Sequence, residues 1–346
     1  MPMFSWPRVE SPSPPVDDLD LTCPACAATG RLLRLLVDPG CRLAQCSTCG
    51  TQYLRRPTGG WAPDGSPALA TSEQTSEHSA DGTESQYWDP YKFVVYESDD
   101  VRRGYDARYD LAFQMARAQV GPATSVLDVG CGIGNFLEWA RRHGLQGTGV
   151  DVDAQAIAVA QSRGLTAGFA DDVEALLGND PTVDVLTLWD VIEHVFDPEA
   201  FLGQFLVHLK PGGAILLETP DAAFPVRALL RGLHAASGGR LNMVDTMYYW
   251  EHKVYFTEEG LRRLLAAHGC DLLAVRRLPS PRAKMELTFS HVVEDQGSWS
   301  HRLLAGAWPV AESVFRHLGR GNKLIALARR RPDVGDRDRP ATGSAG

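Results

Sequence analysis

No stretch of this 346-residue chain approaches 18 continuous apolar residues, so no membrane-spanning helix is expected. The opening "MPMFSWPRVESPSPPVDD" lacks the basic, apolar, small-residue order of a secretory signal, and a cytoplasmic protein is the expectation. Excess basic charge is missing too. The 34 Lys and Arg face 43 Asp and Glu, a formal charge of −9. Nucleic-acid binders usually present a basic face, so this balance argues against that class. The locally basic stretch 302–331 reads as one charged helix face. No internal repeat is visible. Cysteine is scarce, at seven residues, and the number is odd.

What is present falls into segments. Residues 1–20, rich in Pro, Ser and Asp, are expected to be a disordered lead-in, and 332–346 a disordered tail. Residues 21–56 carry paired cysteines, and 57–86 read as a polar linker. From Tyr87 to Arg331 a second unit is expected. Tyr105, Tyr109, Phe113 and Met115 recur at helical spacing. From Ser125 strand and helix patterns alternate: "SVLDVG", "NFLEWARRHG", "GTGVD", "AQAIAVAQSRG", "DVLTLWD", "GGAILLETP" and "TEEGLRRLLAAHGC", with "DLLAVRRL" and "NKLIALARR" as the last strands. Asp197 with Pro198, and Thr257, suit helix starts. Such alternation predicts an α/β fold, a doubly wound sheet with helices on both faces. The regions 221–250 and 279–322 break the pattern and read as insertions over a substrate site. A helix is expected near Arg302–Leu318.

The stretch "VLDVGCGIGNF" carries the chemistry. A dinucleotide turn would read GxGxxG. Here Gly130, Gly132 and Gly134 place the third glycine one residue early, and Asp128 stands at the strand end, where it would repel a phosphate. A cationic ligand would tolerate it, and S-adenosylmethionine carries an ammonium and a sulfonium but no phosphate. The stretch resembles the first motif of class I S-adenosylmethionine-dependent methyltransferases, and the resemblance extends over roughly Tyr87–Arg330. It implies a seven-stranded Rossmann-like sheet. It implies that Asp151, ending "GVD", accepts the ribose hydroxyls. It also implies that Asp171 or Asp172 in "FADD" caps the adenine amino group, and that Asp190 in "LWDVIEHV" stands beside the methyl donor. "LKPGGAILLETP" matches the fifth strand and its loop. Cys131 reads as a small filler of the loop.

"CPAC" and "CSTC" are separated by 19 residues. Cys23, Cys26, Cys46 and Cys49 therefore fit four thiolates around a tetrahedral zinc, with Cys41 left over. The segment resembles the zinc ribbons that precede the catalytic domain in many bacterial methyltransferases. A unit this small has too little core to fold unaided, so the metal would supply its stability. With all four positions taken by cysteine, the role is structural.

Methyl transfer to a hydroxyl needs alignment and removal of a proton. Asp190, Glu193, His194 and His252 are the candidates. Asp190, Glu193 and His194 have the spacing DxxEH, and His252 follows the insertion. Together they resemble the ExxEH-plus-distant-His set of metal-dependent members such as the quinone-biosynthesis O-methyltransferases, with Asp in place of the first Glu. Three roles stay open: a catalytic divalent ion such as magnesium, a metal-free base on His194 or His252, or positioning alone. The aromatics Tyr87, Trp88, Tyr91, Phe93 and Tyr96 precede the core, and Tyr248, Tyr249 and Trp250 lie in the insertion. They read either as cofactor and acceptor walls or as packing.

These readings converge on O-methylation of a small-molecule or glycosyl intermediate in natural-product or polysaccharide biosynthesis. C- or N-methylation, RNA methylation and a non-catalytic cofactor-binding scaffold are the alternatives. Oligomeric state is not legible.

Overall fold

In the computed structural model the described residues are 20–36, 42–55, 88, 90–241, 244–248, 251–287, 306–310, 313–315 and 317–332. The predicted lead-in except Asp20, the whole predicted linker and the predicted tail except Pro332 lie outside them, as do Cys41, Tyr87, Tyr249, Trp250 and part of the helix expected near 302–318. Among the described residues no helix is long and apolar enough to cross a membrane.

Three short strands come first: β1 (Gly30–Leu36), β2 (Arg42–Cys46) and β3 (Gln52–Arg55). Helices α1 (Pro90–Glu97) and α2 (Asp99–Gln119) follow. Next come β4 (Ser125–Val129), α3 (Asn135–Arg142), β5 (Gln146–Asp151), α4 (Ala154–Ser162), β6 (Thr166–Phe169) and α5 (Val173–Leu177). β7 (Val183–Trp189), α6 (Pro198–Leu206) and β8 (Leu209–Pro220) complete the alternation. The remainder is α7 (Pro225–Ala236), β9 (Val254–Tyr255), α8 (Glu258–Ala267), β10 (Cys270–Leu278) and β11 (Lys323–Arg330).

A seven-stranded sheet runs in the order β10-β11-β8-β7-β4-β5-β6. The five strands β6, β5, β4, β7 and β8 are parallel. β11 and β10 are antiparallel and close one edge. β7 is buried almost throughout, which is how a central parallel strand covered on both faces reads. One face packs against α2 and α3 through Tyr109, Ala112, Phe136 and Trp139. The other face packs against α6 and α8 through Leu202, Phe205, Leu261 and Leu265. The strand order reverses at β4 and β7, with β5 and β6 added on one side and β7 and β8 on the other, and in such sheets ligands bind at the carboxyl ends of the strands there.

Local chemistry sets the helix starts. Asp197 accepts from the Ala200 amide at 2.9 Å, with Pro198 in the first turn. Thr257 accepts from the Gly260 amide at 3.0 Å and donates to the Cys49 carbonyl at 2.6 Å.

That second bond belongs to a junction the sequence did not suggest. The four-stranded sheet β1-β2-β3-β9 takes its last strand from the region just after His252. Gln52 pairs with Tyr255 and Tyr53 with Val254. The Leu54 amide adds a bond to the Lys253 carbonyl at 2.8 Å. Cys23, Cys46 and Cys49 share one buried cluster with Val254, Phe256 and Leu261. The cysteine unit is therefore continuous with the larger body.

Candidate active site

The loop after β4 turns on Gly130, Gly132 and Gly134, whose φ angles are 75°, 51° and 84°, a region open to glycine at little cost. A Cβ on Gly132 would lie 2.4 Å from the Trp88 ring, so Trp88 rests on the loop backbone. Its amide bonds Asp153 at 3.1 Å, and its ring meets Phe93 and Tyr96 at 5.2 and 5.4 Å. Cys131 is buried and its thiol is pushed upward by burial. That agrees with a filler, since a reactive thiol needs the thiolate.

Asp151 is buried at the end of β5. One oxygen accepts from the Gly132 amide at 2.7 Å, and the other from Val152 and Asp153 at 2.8 and 3.0 Å. A carboxylate has about four acceptor sites, so about one remains for a hydroxyl. Asp128 is buried and accepts from the Thr187 hydroxyl at 2.7 Å. Burial, reinforced by Asp151, pushes its carboxyl up to about 8. Asp171 and Asp172 lie exposed in the turn after β6. The loop and these acids cluster at the carboxyl ends of β4, β5 and β6.

A second group lies beyond β7. Asp190 has φ 56°, a left-handed conformation that Asp tolerates better than most residues. Its carboxylate is held by Lys323, by Lys284 at 3.3 Å and by the Tyr105 hydroxyl at 3.0 Å. Burial opposes its ionisation, yet Lys323 and Lys284 hold it well below the usual carboxylate range. Lys284 also donates to the Tyr96 and Tyr105 hydroxyls at 2.8 and 2.7 Å.

Glu193 is fully buried, 3.5 Å from Lys323 and 4.0 Å from Nε2 of His252. Burial outweighs Lys323 and moves its carboxyl up to about 7. His194 and His252 meet edge to face at 4.7 Å. Nδ1 of His194 lies 3.0 Å from the Glu251 carbonyl, so that nitrogen carries the proton in the neutral ring. Burial lowers His194 to about 3 and His252 well below its ordinary value, so both rings are neutral. A 2.7 Å bond from the Lys253 amide to the Glu193 carbonyl ties the two segments together.

The four predicted acceptor-side residues thus divide. Glu193, His194 and His252 each offer a ligand atom within 4.8 Å of the others. Asp190 is turned to the lysines instead. Magnesium demands near-octahedral oxygen ligands, whereas this trio offers one carboxylate and two imidazoles beside an ammonium. The set does not fit magnesium. Tyr248 is buried and donates to Gln52 at 2.7 Å, so it packs against the cysteine unit rather than lining an open wall.

The cysteines form a separate cluster. Sγ atoms of Cys23 and Cys49 lie 3.7 Å apart, and Cys26 lies 3.5 Å from both Cys46 and Cys49. Zinc–sulfur bonds of about 2.3 Å in a tetrahedron give edges of about 3.8 Å, so the four residues fit that ion. Shared hydrogen bonding and burial push Cys23 up, and the bond from Cys23 draws Cys49 down to about 4.

The family model for a methyltransferase domain matches residues 98–275, just over half of the chain. The chain belongs to the methyltransferase-domain family. The ubiquinone biosynthesis O-methyltransferase of Idiomarina loihiensis is 34% identical over 162 residues, covering 44% of this chain and 62% of that relative. The enzyme of the same name from Cupriavidus pinatubonensis is 30% identical over 159 residues, covering 44% and 61%. The chain thus spans about six tenths of these curated relatives. Magnesium protoporphyrin IX methyltransferase from Synechocystis PCC 6803 is a solved structure with 16% identity and a TM-score of 0.43, covering 69% of this chain and 93% of that one.

In this member of the methyltransferase-domain family, the residues missed from sequence are Lys284, Lys323, Tyr105 as a hydroxyl donor, and the buried pair Arg108–Glu218 at 3.0 Å. No motif links them. The one available signal was Lys323, a charge opening the otherwise apolar run "KLIALA".

Proposed function

We propose that the chain is an S-adenosylmethionine-dependent O-methyltransferase acting on a hydroxyl of a small molecule, with zinc in the cysteine cluster. The observation that carries this reading is the glycine loop closing on buried Asp151 beside buried Asp128, next to a centre of two neutral histidines and Glu193. The family match supports methyl transfer, and the relatives' names favour a hydroxyl acceptor. When bound, the cofactor supplies an electrophilic methyl group on a sulfonium.

The chain's own residues would divide the remaining work. Asp151 offers its open acceptor site to a ribose hydroxyl. Asp128 would place negative charge near the cofactor's cationic groups once such a group offsets the burial that keeps its carboxyl neutral. Asp171 or Asp172, both exposed after β6, would cap the adenine amino group. His252 removes the acceptor's proton, and Glu193 at 4.0 Å offsets the imidazolium that forms. Glu193 does this only when ionised, and its value of about 7 puts that change in the working range. His194 orients the pair through its ring contact. Cys23, Cys26, Cys46 and Cys49 would hold zinc for structure, since four thiolates leave no open position. A glycosyl or natural-product hydroxyl is the substrate class we favour, and the relatives' names support a small-molecule hydroxyl acceptor.

Calorimetry with S-adenosylmethionine tests the donor half. Micromolar binding is expected, weakened about 10- to 100-fold in Asp151→Ala, the equivalent of losing one hydrogen bond to a charged group. Unchanged affinity in that variant would remove Asp151 from the site. Release of S-adenosylhomocysteine on a panel of hydroxyl acceptors tests the acceptor half. Turnover only on carbon or nitrogen acceptors would redirect the assignment, and binding without any turnover would indicate a scaffold.

A further inference from the structure

We infer that the ammonium of Lys323 permanently fills the place a divalent ion would take among Asp190, Glu193, His194 and His252, so that this centre carries its positive charge on the chain itself. The inference deepens the acceptor-side reading above and rests on it. Its first support is position. Lys323 opens β11, where it is paired in register with Pro220 of β8, and the ladder continues residue by residue from there to Arg329. Its backbone is therefore fixed, and its side chain is only 9% exposed.

Its second support is contact. The ammonium is paired with Asp190 and lies 3.5 Å from Glu193. These are the two carboxylates of the DxxEH pattern that would otherwise face an ion. Asp190 is further engaged by Lys284 and Tyr105. Of the predicted ligand set, only one carboxylate and two imidazoles still converge.

Charge balance is the third support. Asp190, and Glu193 when ionised, are matched by Lys284 and Lys323, and Arg108 and Glu218 match each other. A divalent ion added here would leave two uncompensated positive charges in a buried space, which is costly. With one ammonium hydrogen donated to Asp190 and Glu193 within ion-pair distance only, the ammonium keeps donors to offer an acceptor oxygen. Lys323 thereby supplies the charge that draws the acceptor oxygen in, without ion binding.

The test uses manganese as the probe, read by electron paramagnetic resonance and by thermal shift on the full zinc-loaded chain. Manganese prefers oxygen and nitrogen ligands, so the thiolates do not compete. Wild type is expected to bind none at millimolar manganese. Lys323→Met is expected to gain one site at least about tenfold tighter, and adding His252→Ala should abolish it. A merely structural lysine would lower stability without creating that site. If Lys323→Met fails to fold, Lys323→Gln, which keeps a donor, carries the same readout. Binding of one manganese by wild type, lost in His252→Ala, would overturn the inference. Absence of binding in every variant would overturn it too, because the lysine would not be what keeps the ion out. Cofactor calorimetry on the same samples reports separately on the methyltransferase reading.

Discussion

The proposed donor side and the proposed acceptor side of this molecule are built in opposite ways. Asp128, Gly130, Gly132, Gly134, Asp151, Asp171 and Asp172 all come from the β4–α5 stretch, and adjacent parallel strands bring them together. The acceptor side draws Tyr105 from α2, Asp190 and Glu193 from the turn after β7, His252 from the segment before β9, and Lys284 and Lys323 from the far end of the chain. It also leans on the cysteine unit through β3. A site made from one local stretch tolerates change elsewhere. A site assembled from five places depends on everything that fixes those places.

The largest expected effect separates the two halves outright. Replacing Cys23 and Cys46 together by serine removes half the ligands of the proposed zinc, whose binding is worth roughly 10–16 kcal/mol in small zinc units. Hydrogen exchange should show protection lost across β1–β3 and, through the Gln52–Tyr255 and Tyr53–Val254 pairs, at residues 252–256. Cofactor affinity should stay within about twofold, because the proposed donor residues follow β4, β5 and β6 of the other sheet. Protection at 252–256 that survives the double substitution would mean the two sides are not coupled through β9.

On the donor side, Gly132→Val should cost about 1–3 kcal/mol in stability and at least tenfold in cofactor affinity. Its φ of 51° disfavours a branched residue, and its Cβ would meet Trp88 at 2.4 Å. Chemical denaturation and calorimetry read the two effects, and acceptor-side exchange protection should not move.

Glu193→Gln sharpens the acceptor side. The wild-type rate should rise with pH through about 7 as Glu193 ionises, then level off. In the variant the rise should vanish and the plateau fall about 10- to 100-fold, with cofactor affinity unchanged. A variant that keeps the same inflection near pH 7 would assign it to another group.

The smallest effect concerns Asp128. Its folded value of about 8 lies above the unfolded one, so its neutral form favours the fold. That contribution is full below about pH 4 and fades as pH rises towards 8. Asp128→Asn keeps the bond to Thr187 without the charge. Its melting temperature should exceed that of wild type by a few degrees at pH 8 and match it near pH 4, while the cationic cofactor binds less tightly. Equal melting temperatures at both pH values would show that Asp128 is not destabilised by burial.

Much of this was legible beforehand for a definite reason. The alternation from Ser125 onward, the caps at Asp197 and Thr257, the glycine loop and the paired cysteines are local patterns, and backbone geometry with short-range bonding determines them. Those four cysteines do converge, and Glu193, His194 and His252 do meet. Three other points needed the folded chain. The expected wall residue Tyr248 is buried against Gln52. Asp190 faces two lysines rather than the histidines. The cysteine unit completes its sheet with a strand from beyond His252.

By itself, the sequence determined the α/β class, the strand that carries Asp128, the loop that follows it and the cysteine set, because each is written in neighbouring residues. Only the tertiary structure decided which charges meet around Asp190 and Glu193. Lys284 and Lys323 reach them across the sheet, and an ion pair between residues far apart in the chain leaves no spacing to read. The physical reason is that burial makes every such charge seek a partner, and the fold alone determines which partner is within reach.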